Sequence, residues 1–322
     1  MRSVEELRPR LARYFAAKLG LTSEPEIRDL SRITVGHSRA NYRIDLAYQE
    51  NGAEITRTFA VRFEQGGMFG TSSLAELKVM RGLAGTGTPI ANVRWWEADP
   101  SVTGQPFFVM DWVPGRADVP DRPTLRKYIR HLEDLHTLDW RGAGVEFELV
   151  PVVGRDGTLM QIDRWFGLYR RTRYRPVPVL EEIAAWLRKN APDGPVGIVH
   201  GDPGPSNFLH ANGEITALVD WEFTHLGNPN EDWSFLVSMR GVGIMPQPEW
   251  AALIEEITGT HLTDAEWRYW EVYNQFKGAC ANISALRVFV TRQNMAPNMV
   301  AIGTALHLRM VQRASDLIDG TA

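Results

Sequence analysis

The stretch that most constrains this chain is residues 206–222, where an Asn212-Gly213 dipeptide lies between two strand-like runs. Asn-Gly favours a two-residue turn with positive φ at both positions, and such a turn fixes which residues face each other. In that register Asn207 lies opposite Leu218 and Asp220 stands one same-face step beyond, so the amide and the carboxylate are diagonal neighbours. Diagonal neighbours sit about 7 to 8 Å apart, within reach of one cation bound about 2.1 Å from each oxygen. One amide and one carboxylate suit a hard ion such as Mg²⁺, which keeps positions for water and phosphate oxygens. Asp202 precedes Asn207 in a loop of Gly201, Pro203, Gly204 and Pro205 that leaves a short strand at 196–199, where a carboxylate can accept the proton of a hydroxyl.

Upstream, apolar residues at helical spacing predict an amphipathic helix over 3–19 that stops at Gly20. A second Asn-Gly pair, Asn51-Gly52, predicts a hairpin of 40–48 with 54–64. Its register sets Arg62 opposite Asn41, both on the face away from Tyr42, Ile44 and Leu46. A helix over 73–84 and a buried strand over 106–113, broken by Pro114-Gly115, complete a first lobe that ends near Asp111. Helical patterns follow at 123–138, 159–170 and 178–189, and again from 248 onward, where the aromatic residues of 267–276 fall at core spacing.

At 322 residues the chain has room for two lobes with a cleft between them. A formal charge of -4 gives no general reason to bind nucleic acid or a membrane surface. The single cysteine, Cys280, forms no internal disulfide, and no run is apolar enough to span a bilayer. With acidic Glu5 and Glu6 where a signal peptide would begin its apolar stretch, the expected location is cytoplasmic.

Three features now combine: His200-Gly201-Asp202, Asn207 after four intervening residues, and Asp220-Trp221-Glu222 at the end of the hairpin. Together they resemble the signature of the aminoglycoside phosphotransferase and choline kinase superfamily. The resemblance continues through Gly227-Asn228-Pro229-Asn230-Glu231-Asp232, where Asn228 departs from the usual Asp, and spans roughly residues 28–240. It implies an α+β, protein-kinase-like two-lobe fold: a small mixed N-lobe with an antiparallel sheet (1–111) and a larger, mainly helical C-lobe (112–322), with the hinge at 111–115. It implies ATP and Mg²⁺ as cofactors and a small-molecule hydroxyl substrate. Asp202 would be the catalytic base, Asn207 and Asp220 the metal ligands, and the backbone of Asp111 and Val113 the adenine contact.

Kinases place a lysine on the phosphates, yet no lysine occurs between Lys18 and Lys78. Arg62 holds the matching place, and a guanidinium supports the role with a fork in place of a point charge. Its implied partner is Glu76, although Ser73-Leu74-Ala75-Glu76 also fits a capping box. Gly36 is the one glycine of the candidate phosphate loop at 34–40. His200 is expected to orient the loop, and Asp232 to cap a helix or buttress that loop.

Residues 265–313 hold six basic side chains, Lys277 and Arg313 among them, against Glu266 and Glu271, which suits an apolar or anionic acceptor better than a polycation. Trp165, Trp186-Leu187 and Asn190-Ala191-Pro192 look most like phosphotransferases related to those fused to acyl-CoA dehydrogenases, which implies a hydroxyacyl-CoA acceptor. Aminoglycoside or other antibiotic phosphorylation is the alternative within the family, and a nucleotide-binding pseudokinase the alternative of another class.

Overall fold

The computed structural model describes residues 3–33, 40–64 and 73–321. Helix α1 (Val4–Leu19) starts where Ser3 accepts the Glu6 N–H and Glu6 accepts the Ser3 N–H, and it stops at Gly20 in the left-handed region. These reciprocal bonds satisfy donors that a helix start otherwise leaves bare. Its buried Leu7, Leu11 and Phe15 pack on one face of an antiparallel sheet. In spatial order the strands are β1 (Glu26–Ile33), β2 (Ala40–Glu50), β3 (Ala53–Phe63), β5 (Phe107–Asp111) and β4 (Val93–Glu97).

Asn51 and Gly52 both take positive φ, and Asn41 pairs with Arg62 as the turn requires. Alternation then sends Tyr42, Ile44 and Leu46 towards α1, and leaves Arg62 with Ala60, Phe108 and Met110 on the opposite face. Helix α2 (Ser73–Leu83) lies on that second side, with Leu77, Met80 and Leu83 in the larger core.

The chain then becomes mainly helical through α3 (Arg122–His136), α4 (Gly154–Thr172), α5 (Pro178–Asn190), α6 (Asn230–Phe235), α7 (Gln247–Thr258) and α8 (Asp264–Val290), followed by α9 (Asn298–Ala301) and α10 (His307–Asp319). Trp270, Tyr273 and Phe276 of α8 are buried, so the aromatic run is core, as its spacing indicates. Each ring contributes about 1.5 to 3 kcal/mol through the surface it withdraws from water. No helix among the described residues is long and apolar enough to cross a membrane.

Two small antiparallel pairs sit beside these helices: β6 (Gly197–Val199) with β9 (His225–Gly227), and β7 (Phe208–Ala211) with β8 (Glu214–Leu218). The segment after β5 crosses the second pair, where Arg116 and His210 exchange backbone bonds of 2.9 and 3.0 Å and Thr216 Oγ1 donates to Pro114 O at 2.9 Å. The β7–β8 hairpin is thereby hung opposite the open face of the sheet.

Candidate active site

Near its turn the β7–β8 hairpin follows the expected register, with Ala211 facing Glu214 and His210 facing Ile215. The register then shifts by one, so that Phe208, not Asn207, lies opposite Leu218. This corrects the pairing expected from the turn. Thr216 is the extra residue of a bulge, and its hydroxyl takes the bond to Pro114. Asn207 ends a tight turn, Pro205–Asn207, and its carbonyl accepts the Val219 N–H at 3.0 Å. Asp220 follows β8 at φ 68°, a left-handed conformation that Asp tolerates better than most residues. The two side chains therefore converge through turns, not through diagonal sheet positions.

The loop before them is fixed by buried polar bonds. Asp232 accepts the His200 N–H at 2.7 Å on Oδ2 and the Gly201 N–H at 2.8 Å on Oδ1, with His136 Nε2 2.9 Å from Oδ2. Asp232 thus buttresses the loop. The His200 ring spends Nε2 on Val219 O at 3.0 Å, and burial pushes its pKa down, as suits a neutral, orienting side chain. Gly201 has φ 85°, and a Cβ there would stand 2.6 Å from the Phe223 carbonyl, so only glycine fits. On its other side Lys277 donates to the Gly201 carbonyl and lies 2.7 Å from Glu231 Oε1. Burial alone would raise the Glu231 pKa, but Lys277 and His225 outweigh it and hold the carboxyl at about 2.

Asp202 is buried, and its carbonyl accepts Asn207 Nδ2 at 2.7 Å, which leaves the Asn207 Oδ1 as the atom able to meet a cation. Its carboxylate meets Arg240, a residue the sequence did not single out. Arg240 Nε and Nη2 donate to Oδ1 at 2.9 and 2.7 Å, and Nη2 also donates to Oδ2 at 2.7 Å. Burial pushes the Asp202 pKa up, and the guanidinium offsets only part of that rise.

Arg62 stands between two carboxylates, with Nη1 3.2 Å from Glu76 Oε1 and Nη2 2.9 Å from Asp220 Oδ1. The Arg62–Glu76 pair therefore forms. Burial opposes the Arg62 charge, but Glu76, Asp220 and Glu222 together outweigh it and move its pKa upward. Its Nε has no hydrogen-bond partner among the described residues, an orphaned donor of the kind a phosphate oxygen satisfies.

A cavity of about 330 Å³ lies between sheet and hairpin, and Arg62, Glu76, Asp111, Val113, Asn207 and Asp220 all line it. Asp202 does not line it but is joined to it through the Asn207 bond. Gly36 falls outside the described residues. The Asp111 N–H is spent on Asn92 O at 2.9 Å, so it cannot also serve a ligand. An amide oxygen and a carboxylate facing one cavity fit a hard divalent ion that shares its coordination with phosphate.

The basic residues of 265–313 do not form the wall expected from their number. Lys277 is buried with Glu231, Arg313 pairs with Glu271 at 2.8 Å, and Arg268 and Arg287 donate to the Ile318 and Arg171 carbonyls. Local partners consume much of the charge. Arg240 was missed, and Lys277 was read only as one of the basic residues of 265–313, because a basic residue in a helical stretch carries no spacing signal for contact with a loop dozens of positions away.

The profile of a phosphotransferase enzyme family matches residues 29–272. An Arabidopsis thaliana protein named for acyl-CoA dehydrogenase, IBR3, is 26% identical over 307 residues, covering 81% of this chain but only 36% of its own length. The chain thus spans little more than a third of that relative. Among solved structures, a Ralstonia eutropha protein assigned to the aminoglycoside phosphotransferases superposes with a TM-score of 0.71 at 21% identity, over 97% of this chain and 98% of the other. A thermostable mutant of the aminoglycoside phosphotransferase APH(4)-Ia, solved with ADP and hygromycin B, gives 0.60 at 14% identity, over 94% and 98%. These likenesses establish the kinase-like fold.

Proposed function

The chain belongs to the phosphotransferase enzyme family, and from that premise we propose an ATP-dependent small-molecule kinase that moves the γ-phosphoryl group to a substrate hydroxyl. One observation carries this reading: Arg62, Asn207 and Asp220 line a single cavity to which Asp202 is tied by a 2.7 Å bond. Asp202 accepts the hydroxyl proton, as a carboxylate beside a reacting hydroxyl does in related chemistry. Arg62, held by Glu76, binds phosphate oxygens through its fork. The Asp111 carbonyl and the Val113 N–H meet the adenine at the 111–115 hinge between the 1–111 and 112–322 lobes. Asn207 and Asp220 would hold Mg²⁺, which supplies neutralising charge on the phosphate oxygens when bound.

The acceptor in this proposal is apolar or anionic, such as a hydroxyacyl-CoA, and the protein works in the cytoplasm. The support is Arg240 beside the Asp202 carboxylate, whose unused donor edge suits an acceptor with oxygens near its hydroxyl better than one rich in ammonium groups, together with the likeness to a protein named for acyl-CoA dehydrogenase. The test is ADP release from Mg-ATP across hydroxyacyl thioesters, hydroxy acids and aminoglycosides. Turnover in the native protein should fall by about 10²-fold in Asp202→Asn while AMP-PNP binding persists. Nucleotide binding without acceptor-dependent ADP release would favour the pseudokinase reading, and a strong preference for kanamycin would overturn the acceptor class.

A further inference from the structure

Arg240 is placed on Asp202 by construction. It ends a wide helical turn, Leu236–Arg240, of the π type that is frequent at functional sites. At Gly204 a Cβ would come within 2.5 Å of Arg240 Cβ and Cγ, so the loop can approach the arginine stem only because that position has no side chain. The guanidinium lies 5.9 Å from the Phe235 ring centroid, which limits its sideways movement.

The bonding uses only one edge of the fork. Nε and Nη2 hold the carboxylate, whereas Nη1 makes no hydrogen bond among the described residues. The Arg240 side chain is 40% exposed against 8% for Asp202, so the arginine, unlike the carboxylate it holds, is open to a molecule that comes to Asp202. An acceptor whose hydroxyl meets Asp202 can therefore bring its neighbouring atoms against Nη1.

We propose that Arg240 determines acceptor specificity, its outer edge binding a carboxylate or carbonyl oxygen a few bonds from the reacting hydroxyl and thereby selecting hydroxy acids and their acyl derivatives over plain alcohols. The inference rests on the kinase reading above. As the acceptor O–H breaks, its proton passes to Asp202, the hydroxyl oxygen bonds the γ-phosphorus, and the bond from that phosphorus to the ADP oxygen breaks. Asp202 is then neutral and no longer compensates the Arg240 charge, so an acceptor oxygen on Nη1 is held more strongly at that point than in the ground state. Its loss must lower kcat as well as raise KM.

The test compares β-hydroxybutyrate, its methyl ester and sec-butanol in native protein, Arg240→Gln and Arg240→Lys, by ADP release. In the native protein the two oxygen-bearing acceptors should exceed sec-butanol about tenfold or more in kcat/KM. That ratio should collapse to near one in Arg240→Gln and recover in part in Arg240→Lys, and the ratio of acid to ester tells a carboxylate from a carbonyl. An unchanged ratio in Arg240→Gln, or a variant faster with sec-butanol than the native protein, overturns the proposal. Calorimetric titration of β-hydroxybutyrate into protein loaded with Mg-AMP-PNP decides it without turnover: equal affinity in native protein and Arg240→Gln refutes the Arg240 contact. Absence of ADP release with every acceptor refutes the kinase reading alone.

Discussion

Lys277 Nζ lies 2.7 Å from Glu231 Oε1 where the two side chains are only 4% and 3% exposed, and the same ammonium donates to the Gly201 carbonyl. One buried ion pair therefore joins α6, α8 and the loop that carries Asp202. Trp165, Phe223 and Phe235 stand within 5.7 Å of the ammonium and exclude the water that would otherwise screen it.

Breaking that pair from one side is costly, because the remaining charge stays buried without a partner. Lys277→Met should lower the unfolding free energy by about 3 to 5 kcal/mol, and Lys277→Met with Glu231→Gln should recover much of the loss. Urea unfolding of the single and double variants checks this.

The pair also sets an acid limit. Glu231 is held at about 2 against an ordinary 4.5, so its folded pKa is depressed. A depressed carboxylate stabilises the fold fully above its unfolded value, and the contribution disappears as pH falls from about 4.5 to about 2. Unfolding midpoints measured across that window should drop more steeply for the native protein than for Glu231→Gln.

Arg62 bonds Glu76 through Nη1 and Asp220 through Nη2, whereas a lysine would have to draw both carboxylates to one nitrogen. Arg62→Lys keeps the charge but loses the fork, and AMP-PNP affinity should fall about tenfold by calorimetry. Unchanged affinity would remove Arg62 from the phosphate site.

Asp220 presents a carboxylate to the cavity beside the Asn207 amide. Asp220→Asn should raise the Mg²⁺ concentration needed for half-maximal ADP release by about tenfold or more, and chelation of the metal should stop release in the native protein. ADP release that survives EDTA would contradict a metal at this pair.

Much of this site was legible because it is local. Asn51-Gly52 fixed Arg62 opposite Asn41, since a two-residue turn leaves one register. The second hairpin kept its turn but not its far register, because the Thr216 bulge depends on Pro114, a residue about a hundred positions away. Charge counting over 265–313 misled for the same reason, as Lys277 and Arg313 meet partners that no local pattern reveals. Arg240 was invisible until the fold placed it on Asp202. Spacing reports what a turn or a helix enforces, and is silent on pairs brought together only by packing.

Asp232 offers the sharpest test of how far the loop's geometry matters. Its two oxygens serve three donors: the His200 and Gly201 N–H groups and the His136 ring. Asp232→Asn is nearly isosteric but exchanges one oxygen for an NH₂. His136 can move its proton to Nδ1, which has no hydrogen-bond partner among the described residues, and so accept from the new amide. The two backbone N–H groups have no such freedom, and one must face a donor. The variant should lose about 1 to 3 kcal/mol of stability, with faster amide exchange at His200 or Gly201. Since Arg62 and Asp111 sit on the sheet, away from this bond, kcat should fall well before the KM for ATP rises. A parallel rise in KM would mean that Asp232 supports the whole cleft and not the Asp202 loop in particular.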